Sequence, residues 1–206
     1  MGLDVLAPGV WITTTDNVGA NGLVGGDYND RFNGTSAASS NTAAVVALII
    51  AVNPNLTGQQ VRNILEQNCF KIPNGNFLPN VAGQPNGTWS NQAGYGRVDA
   101  ERAVRQAWIS RTSSISINGP STFCSSDLYT LNLLPPCDAI VTWSLGYLNN
   151  HPNVASLSCT NCTSTTLTKI NNGTVWLIAT VTFPGSNTTY TFEKYIGVGV
   201  PTIRGW

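Results

Sequence analysis

Hydrophobic and polar positions change rhythm partway along the chain. In the first half they group into helix-length blocks, and from Ser113 onward they alternate over short runs. The longest apolar block, Ala43 to Val52, closes the stretch FNGTSAASSNTAAVVALIIAV that begins at Phe32. It neither alternates nor leaves a polar stripe, and its alanines favour helix. It therefore predicts a helix buried on nearly all sides, with Ser36 at the entrance. Asn53-Pro54-Asn55 stops that helix. Thr57 and Gln60 stand at capping-box spacing and open a second helix with Val61, Ile64 and Leu65 as its buried stripe. Asp99 caps a third, whose Ala100, Ala103, Val104 and Ala107 face inward.

Around these helices the signals are shorter. Leu3 to Leu6 predicts a strand ending in the turn Ala7-Pro8-Gly9, and Val10 to Thr15 resumes a β-rich run. Asn17 to Asp30 reads as a loop rich in Gly, Asn and Asp, and Pro73 to Asn91 as an irregular one. In the second half, Leu128–Leu133, Ala139–Ser144, Val154–Ser158, Thr165–Ile170, Thr174–Phe183 and Thr189–Val198 predict strands. Asn171-Asn172-Gly173 predicts a hairpin turn among them, and Trp143 a core anchor. The expected organisation is an α/β domain over residues 1–112 and a small all-β sandwich over 113–206.

Composition narrows the function classes. Lys plus Arg and Asp plus Glu are both 10, so no net charge steers the chain to nucleic acid or an anionic membrane. Charged residues are only 10% of the 206, while Asn, Thr, Ser and Gly abound, which suits an exported protein. No basic and apolar leader opens the sequence. The block Ala43–Val52 is about half of the roughly 20 residues a spanning helix needs, so no membrane span is expected. N-x-S/T sequons such as those at Asn33 and Asn172 are what so much Asn and Thr produces by chance.

Of the 5 cysteines, Cys124, Cys137, Cys159 and Cys162 fall in the second half, where disulfides are possible in an oxidising compartment, with Cys69 left over. The C-x-x-C at Cys159–Cys162 lacks the second pair or the histidines of a zinc site and the βαβ setting of a redox motif, so these cysteines read as structural. Asp16, Asp27 and Asp30 could bind a cation, but a solvated loop explains them as well.

The candidate chemistry sits at Ser36. The first turn of a helix carries backbone N–H groups without intrahelical partners and the positive end of the dipole, so an oxyanion forming there can be held. Gly34 admits a ligand's backbone, and Ala37 and Ala38 leave the mouth open. Taken alone, a Ser or Thr ahead of an apolar helix is more simply an N-cap.

Context shifts that balance. Gly34-Thr35-Ser36-Ala37-Ala38-Ser39 resembles the nucleophile motif G-T-S-M-A of the subtilases, with Ala37 for the common Met and Ser40 where Pro is usual. Asp4–Thr15, DVLAPGVWITTT, is similar to the strand and A-P-G turn that precede it in that family. Gly94–Val104, GYGRVDAERAV, is similar to its closing helix entry. The resemblance implies the C-terminal part of a doubly wound subtilase domain, with Ser36 as the nucleophile of a secreted serine endopeptidase, Gly34 and Thr35 at the substrate and a polypeptide as that substrate. Calcium follows from the family only; the sequence shows no ligand cluster and no other cofactor.

In subtilases the order is Asp, His, Ser, yet no His precedes Ser36, and the single histidine, His151, lies in the second domain. The family's upstream oxyanion Asn is missing, and Asn33 reads as part of the turn into Gly34. A fragment without its own base, inactive alone, is therefore expected. The second half resembles Ig-like or PKD-like modules of secreted Bacteroidetes proteins, through Asn118-Gly119-Pro120-Ser121, Val141-Thr142-Trp143-Ser144 and Val198-Gly199-Val200-Pro201. That resemblance implies a module able to bind a surface or secretion partner. The alternative class is a non-catalytic scaffold or adhesion protein carrying a degenerate protease domain.

Overall fold

A computed structural model describes residues 2–147, 153–185 and 188–199. Contacts divide the chain into two units, Met1–Ser110 and Arg111–Trp206. His151 and the close of the Val198–Pro201 segment lie outside the described residues.

The first unit holds β1 (Ile12–Thr15), β2 (Tyr28–Phe32), α1 (Thr35–Val52), α2 (Gly58–Gln67) and α3 (Ala100–Ile109). The helix ends follow their sequence signals. Asn53 caps α1 through its N–H to Ile49 O at 3.0 Å, and Pro54 cannot continue the helix. The Thr57 N–H donates to Gln60 Oε1 at 2.8 Å while Gln60 N–H donates to Thr57 Oγ1 at 3.3 Å, a complete capping box for α2. Asp99 Oδ1 accepts the Arg102 N–H at the start of α3. Val45 and Ile49 of α1 pack against Val61, Ile64 and Leu65 of α2 and Ala103 and Ala107 of α3.

That packing covers one face of α1 only, which corrects the expectation of a helix enclosed on nearly all sides. Only Ala37, Val45 and Ile49 are buried, while Leu48 and Ile50 are 50% and 43% exposed. The residues are apolar all round, but α2 and α3 supply two neighbours on the same side. The sequence expectation also counts only Ala43–Val52. The helix reaches back through an uncharged Ser- and Thr-bearing half, so its 18 residues at mean hydropathy 1.6 are long and apolar enough to cross a membrane by length and composition alone.

Asp4 to Leu6 runs extended beside Gly94–Val98. Leu6 N–H donates to Gly96 O, while Tyr95 and Val98 N–H donate to Asp4 and Leu6 O. Its other edge is bare: neither the N–H nor the C=O of Val5 has a hydrogen bond among the described residues. β1 and β2 pair antiparallel from Ile12↔Phe32 to Thr15↔Tyr28, so Tyr28–Asp30 is strand where the polar composition suggests loop; cross-strand pairing overrides weak β propensity. The intervening loop is folded around two carboxylates. Asp16 accepts the N–H groups of Val24 and Asn17, which hold its carboxyl below its ordinary pKa, and Asp27 accepts that of Gly19.

A buried polar cluster locks α2 to the long 73–96 segment. Glu66 is 2% exposed, takes Arg62 Nε at 2.6 Å on one oxygen and Asn86 Nδ2 at 2.6 Å on the other, and Arg62 reaches on to Asp4 at 2.9 Å. Asn86 also receives Gln67 Nε2 and donates its own N–H to the Tyr95 hydroxyl.

The second unit is two four-stranded sheets. One has the order β4 (Thr122–Phe123), β10 (Thr189–Val198), β9 (Gly173–Thr182), β6 (Ile140–Tyr147). The other has β3 (Ile117–Asn118), β5 (Ser126–Leu131), β8 (Ser164–Lys169), β7 (Ala155–Leu157). The alternation places Val175, Leu177, Ala179 and Val181 on the buried face of β9. Trp143 is buried there too, and its Nε1 donates to Cys162 O at 2.8 Å. Asn171-Asn172-Gly173 does not make a hairpin, because β8 pairs with β5 and β7 while β9 pairs with β10 and β6. The turn instead carries the chain from one sheet to the other. The two-residue strands β3 and β4 carry too few positions to show alternation in sequence.

Cys159 and Cys162 are joined in a disulfide, Cys124 and Cys137 are free and exposed, and Cys69 is free and buried. Burial pushes the Cys69 thiol up to about 11, well above neutral pH, so it stays protonated and unreactive.

Two outcomes follow. Iodoacetamide at pH 8 should alkylate Cys124 and Cys137 in the native protein and reach Cys69 only after denaturation; peptide mapping that finds Cys69 modified under native conditions contradicts this burial. Glu66→Ala, which takes the carboxylate acceptor from the buried Asn86 amide and from Arg62, should lower the urea-unfolding free energy of the first unit by about 1–3 kcal/mol.

Candidate functional site

Ser36 is the second residue of α1, and its side chain is exposed. Its Oγ and its N–H have no hydrogen-bond partner among the described residues; the first helical amides bonded back to Gly34 O are those of Ala37 at 3.1 Å and Ala38 at 3.4 Å. A hydroxyl and an uncommitted N–H thus meet at the positive end of an 18-residue helix. Thr35 is exposed beside Ser36. Gly34 precedes the helix at φ 157° and ψ 157°, a region that glycine alone enters readily, and no side chain of its own caps the helix.

The entrance is held by the turn that follows Leu6. Gly34 N–H donates to Gly9 O at 2.8 Å, Asn41 Nδ2 donates to Pro8 O at 2.8 Å, and Trp11 N–H donates to Asn33 Oδ1 at 2.7 Å. Asn33 therefore is part of the turn into Gly34. Its amide fixes Trp11, which sits in the left-handed region at φ 57°. The approach is close: a Cβ on Gly9 would lie 2.8 Å from Gly34 O and 3.1 Å from Ala38 Cβ. Neither Gly9 nor Asn41 stands out in sequence as part of the site. Asn41 is detectable only as an amide at the seventh position of a helix of small and apolar residues.

Beside this entrance runs an open groove of about 920 Å³ between residues 3–10 and α1. Its walls include Val5, Leu6, Ala43 and Val46, and its polar rim includes Thr35 and Ser39. The bare Val5 edge opens on it.

The structure pairs no imidazole with Ser36 among the described residues, since His151 lies outside them and the chain has 1 histidine. No group of three or more His, Cys, Asp or Glu that could hold a metal occurs among the described residues. Asp16 and Asp27 direct oxygens to loop N–H groups, so the donor set offers calcium no ready cage.

Against this geometry, residues 1–96 match peptidase S8, the Subtilase family. Over 121 residues the chain is 36% identical to a calcium-dependent protease of Trichormus variabilis, covering 53% of this chain and 17% of that protein. It is 35% identical over 104 residues to alkaline elastase YaB of a Bacillus species, covering 50% of this chain and 21% of the relative. It is 42% identical over 72 residues to subtilisin E of Bacillus subtilis, covering 35% and 17% respectively. The chain thus spans about a fifth or less of these relatives, all of them proteases. A serine protease of Aeromonas sobria aligns over 90% of this chain and 48% of its own, at 13% identity and a TM-score of 0.39, too slight a likeness to bear on the fold.

Gly9→Ala tests the latch. The added methyl has backbone in front of it, so the variant should lose about 1–3 kcal/mol of first-unit stability in urea unfolding. An unchanged midpoint would mean that turn and helix do not approach as described.

Proposed function

We propose that the chain carries the nucleophile portion of a subtilisin-like serine endopeptidase, with Ser36 attacking the peptide carbonyl. The supporting observation is the exposed Ser36 hydroxyl beside its own unbonded N–H at the start of α1, within the region that matches the Subtilase family. In this reading Ser36 Oγ adds to the carbonyl carbon and its proton passes to a base. The carbonyl oxygen becomes an oxyanion facing the helix start, and collapse expels the amine to leave an acyl-enzyme. Gly34 and Thr35 flank the peptide.

Residues 1–35 contain no histidine to serve as base. In subtilisin, loss of the nucleophile or the His costs roughly a million-fold in turnover. We read the chain as dependent on a separate segment for its Asp and His, and the groove with its bare Val5 edge offers such a segment apolar cover and free backbone partners. The low charge and the Cys159–Cys162 disulfide suit an extracellular setting. The second unit is read as an Ig-like appendage.

The experiment is labelling with a fluorophosphonate probe. This polypeptide alone should show no labelling and no peptidase activity. A chimera that places the preceding part of the Trichormus variabilis protease ahead of residue 1 should label at Ser36, and Ser36→Ala should abolish it. A folded chimera that leaves Ser36 unlabelled would support the scaffold reading, and labelling of the chain alone would refute the need for a supplied base.

A further inference from the structure

We infer that the outward face of the sheet β4-β10-β9-β6 is a binding site for a single chain of a neutral polysaccharide, centred on Trp176 and Tyr195. The inference stands on the second unit and does not depend on the reading of Ser36.

Trp176 and Tyr195 lie directly opposite one another on β9 and β10, the two central strands of the sheet, on the face turned away from the core. Their rings are 5.2 Å apart at 65°, so the face of one meets the edge of the other and the two form a corner. They remain 36% and 46% exposed. Cross-strand pairing accounts for their mutual contact but not for the bare flank beside the indole. That flank is Gly146 of β6, opposite Trp176. Gly146 is not among the positive-φ glycines, so its backbone does not call for glycine. A Cβ there would lie 3.3 Å from Trp176 Cβ and 3.6 Å from Ile178 Cδ1, against the aromatic residue that the glycine leaves uncovered.

The chemistry around the corner selects the ligand. Ser144, Thr180 and Thr191 share this face and present hydroxyls that both donate and accept, and Glu193 is its one charged side chain among the described residues. A nucleic acid or an anionic surface would find no cation among the described residues of this face. Ile140 and Ile178 also lie on this face, yet an apolar protein partner covering them would bury the surrounding rows of hydroxyls without satisfying them. A sugar ring has a C–H face to lay on an aromatic ring and an equatorial fringe of hydroxyls to bond to Ser, Thr and Glu. The raised 65° corner, with its open indole flank over Gly146, fits one chain laid along that flank and not the flat surface of a crystal.

Affinity electrophoresis of the full chain tests this, in native gels containing laminarin, xylan, glucomannan, hydroxyethyl cellulose or pullulan. At least one glycan should retard the wild type. Trp176→Ala should weaken that retardation about tenfold or more. Gly146→Val, which fills the flank while both aromatic residues stay in the sequence, should weaken it similarly, whereas Tyr195→Phe should retain it. The sheet's native state is read from the circular dichroism thermal transition. Wild-type protein that no glycan retards, or retardation that survives a folded Gly146→Val, overturns the site; if Trp176→Ala does not fold, Gly146→Val decides. Retention on crystalline cellulose without retardation by any soluble glycan also overturns it.

Discussion

The first unit depends on two glycines that bring backbone against backbone. Gly9 O accepts the Gly34 N–H, and the space for a Cβ at Gly9 is already occupied by Gly34 O and Ala38. A helix entrance left to itself would be a frayed turn with four unpaired amides. Here the residue ahead of the helix, Gly34, is held by an external turn, and Asn41 and Asn33 fasten that turn from either side. The backbone that carries the exposed Ser36 hydroxyl is placed by contacts made by residues that need not touch a substrate. The cost is conformational: Trp11 is driven into the left-handed region and Gly34 into one reserved for glycine.

The same unit leaves other demands unmet. α1 has apolar residues on every side, but its buried contacts come from α2 and α3. The extended Asp4–Leu6 segment is hydrogen-bonded along one edge and bare at Val5 along the other. These two features meet at the groove beside Ser36. An unsatisfied strand edge and an uncovered helix face in the same place are complementary to one kind of addition, an extended segment bringing apolar side chains.

Much of this was legible in the sequence, because its signals were local. The stop at Asn53-Pro54, the Thr57–Gln60 box and the Asp99 cap are satisfied within a few residues, and the structure has them at those positions. The long strands of the second unit declared themselves by alternation. What was hidden depended on distant partners. The burial of α1 was overstated because apolar composition records what a helix needs, not what its neighbours cover. Tyr28–Asp30 became strand only through pairing with β1. At the site, the Ser36 motif was legible, but the Pro8–Asn41 and Trp11–Asn33 bonds join residues 33 and 22 apart, and no short pattern marks them.

The passage of the chain between sheets at Asn171–Gly173 has a kinetic meaning. Because β8 and β9 do not pair, the neighbours of β9 are β6, far upstream, and β10, while β8 must find β5. The β9–β10 ladder can form across a short connection, but neither layer can be completed from one contiguous stretch, so large loops must close before β6 joins β9 and β8 joins β5. The two layers then have to condense together, and assembly of this half should be slow, late and all-or-none.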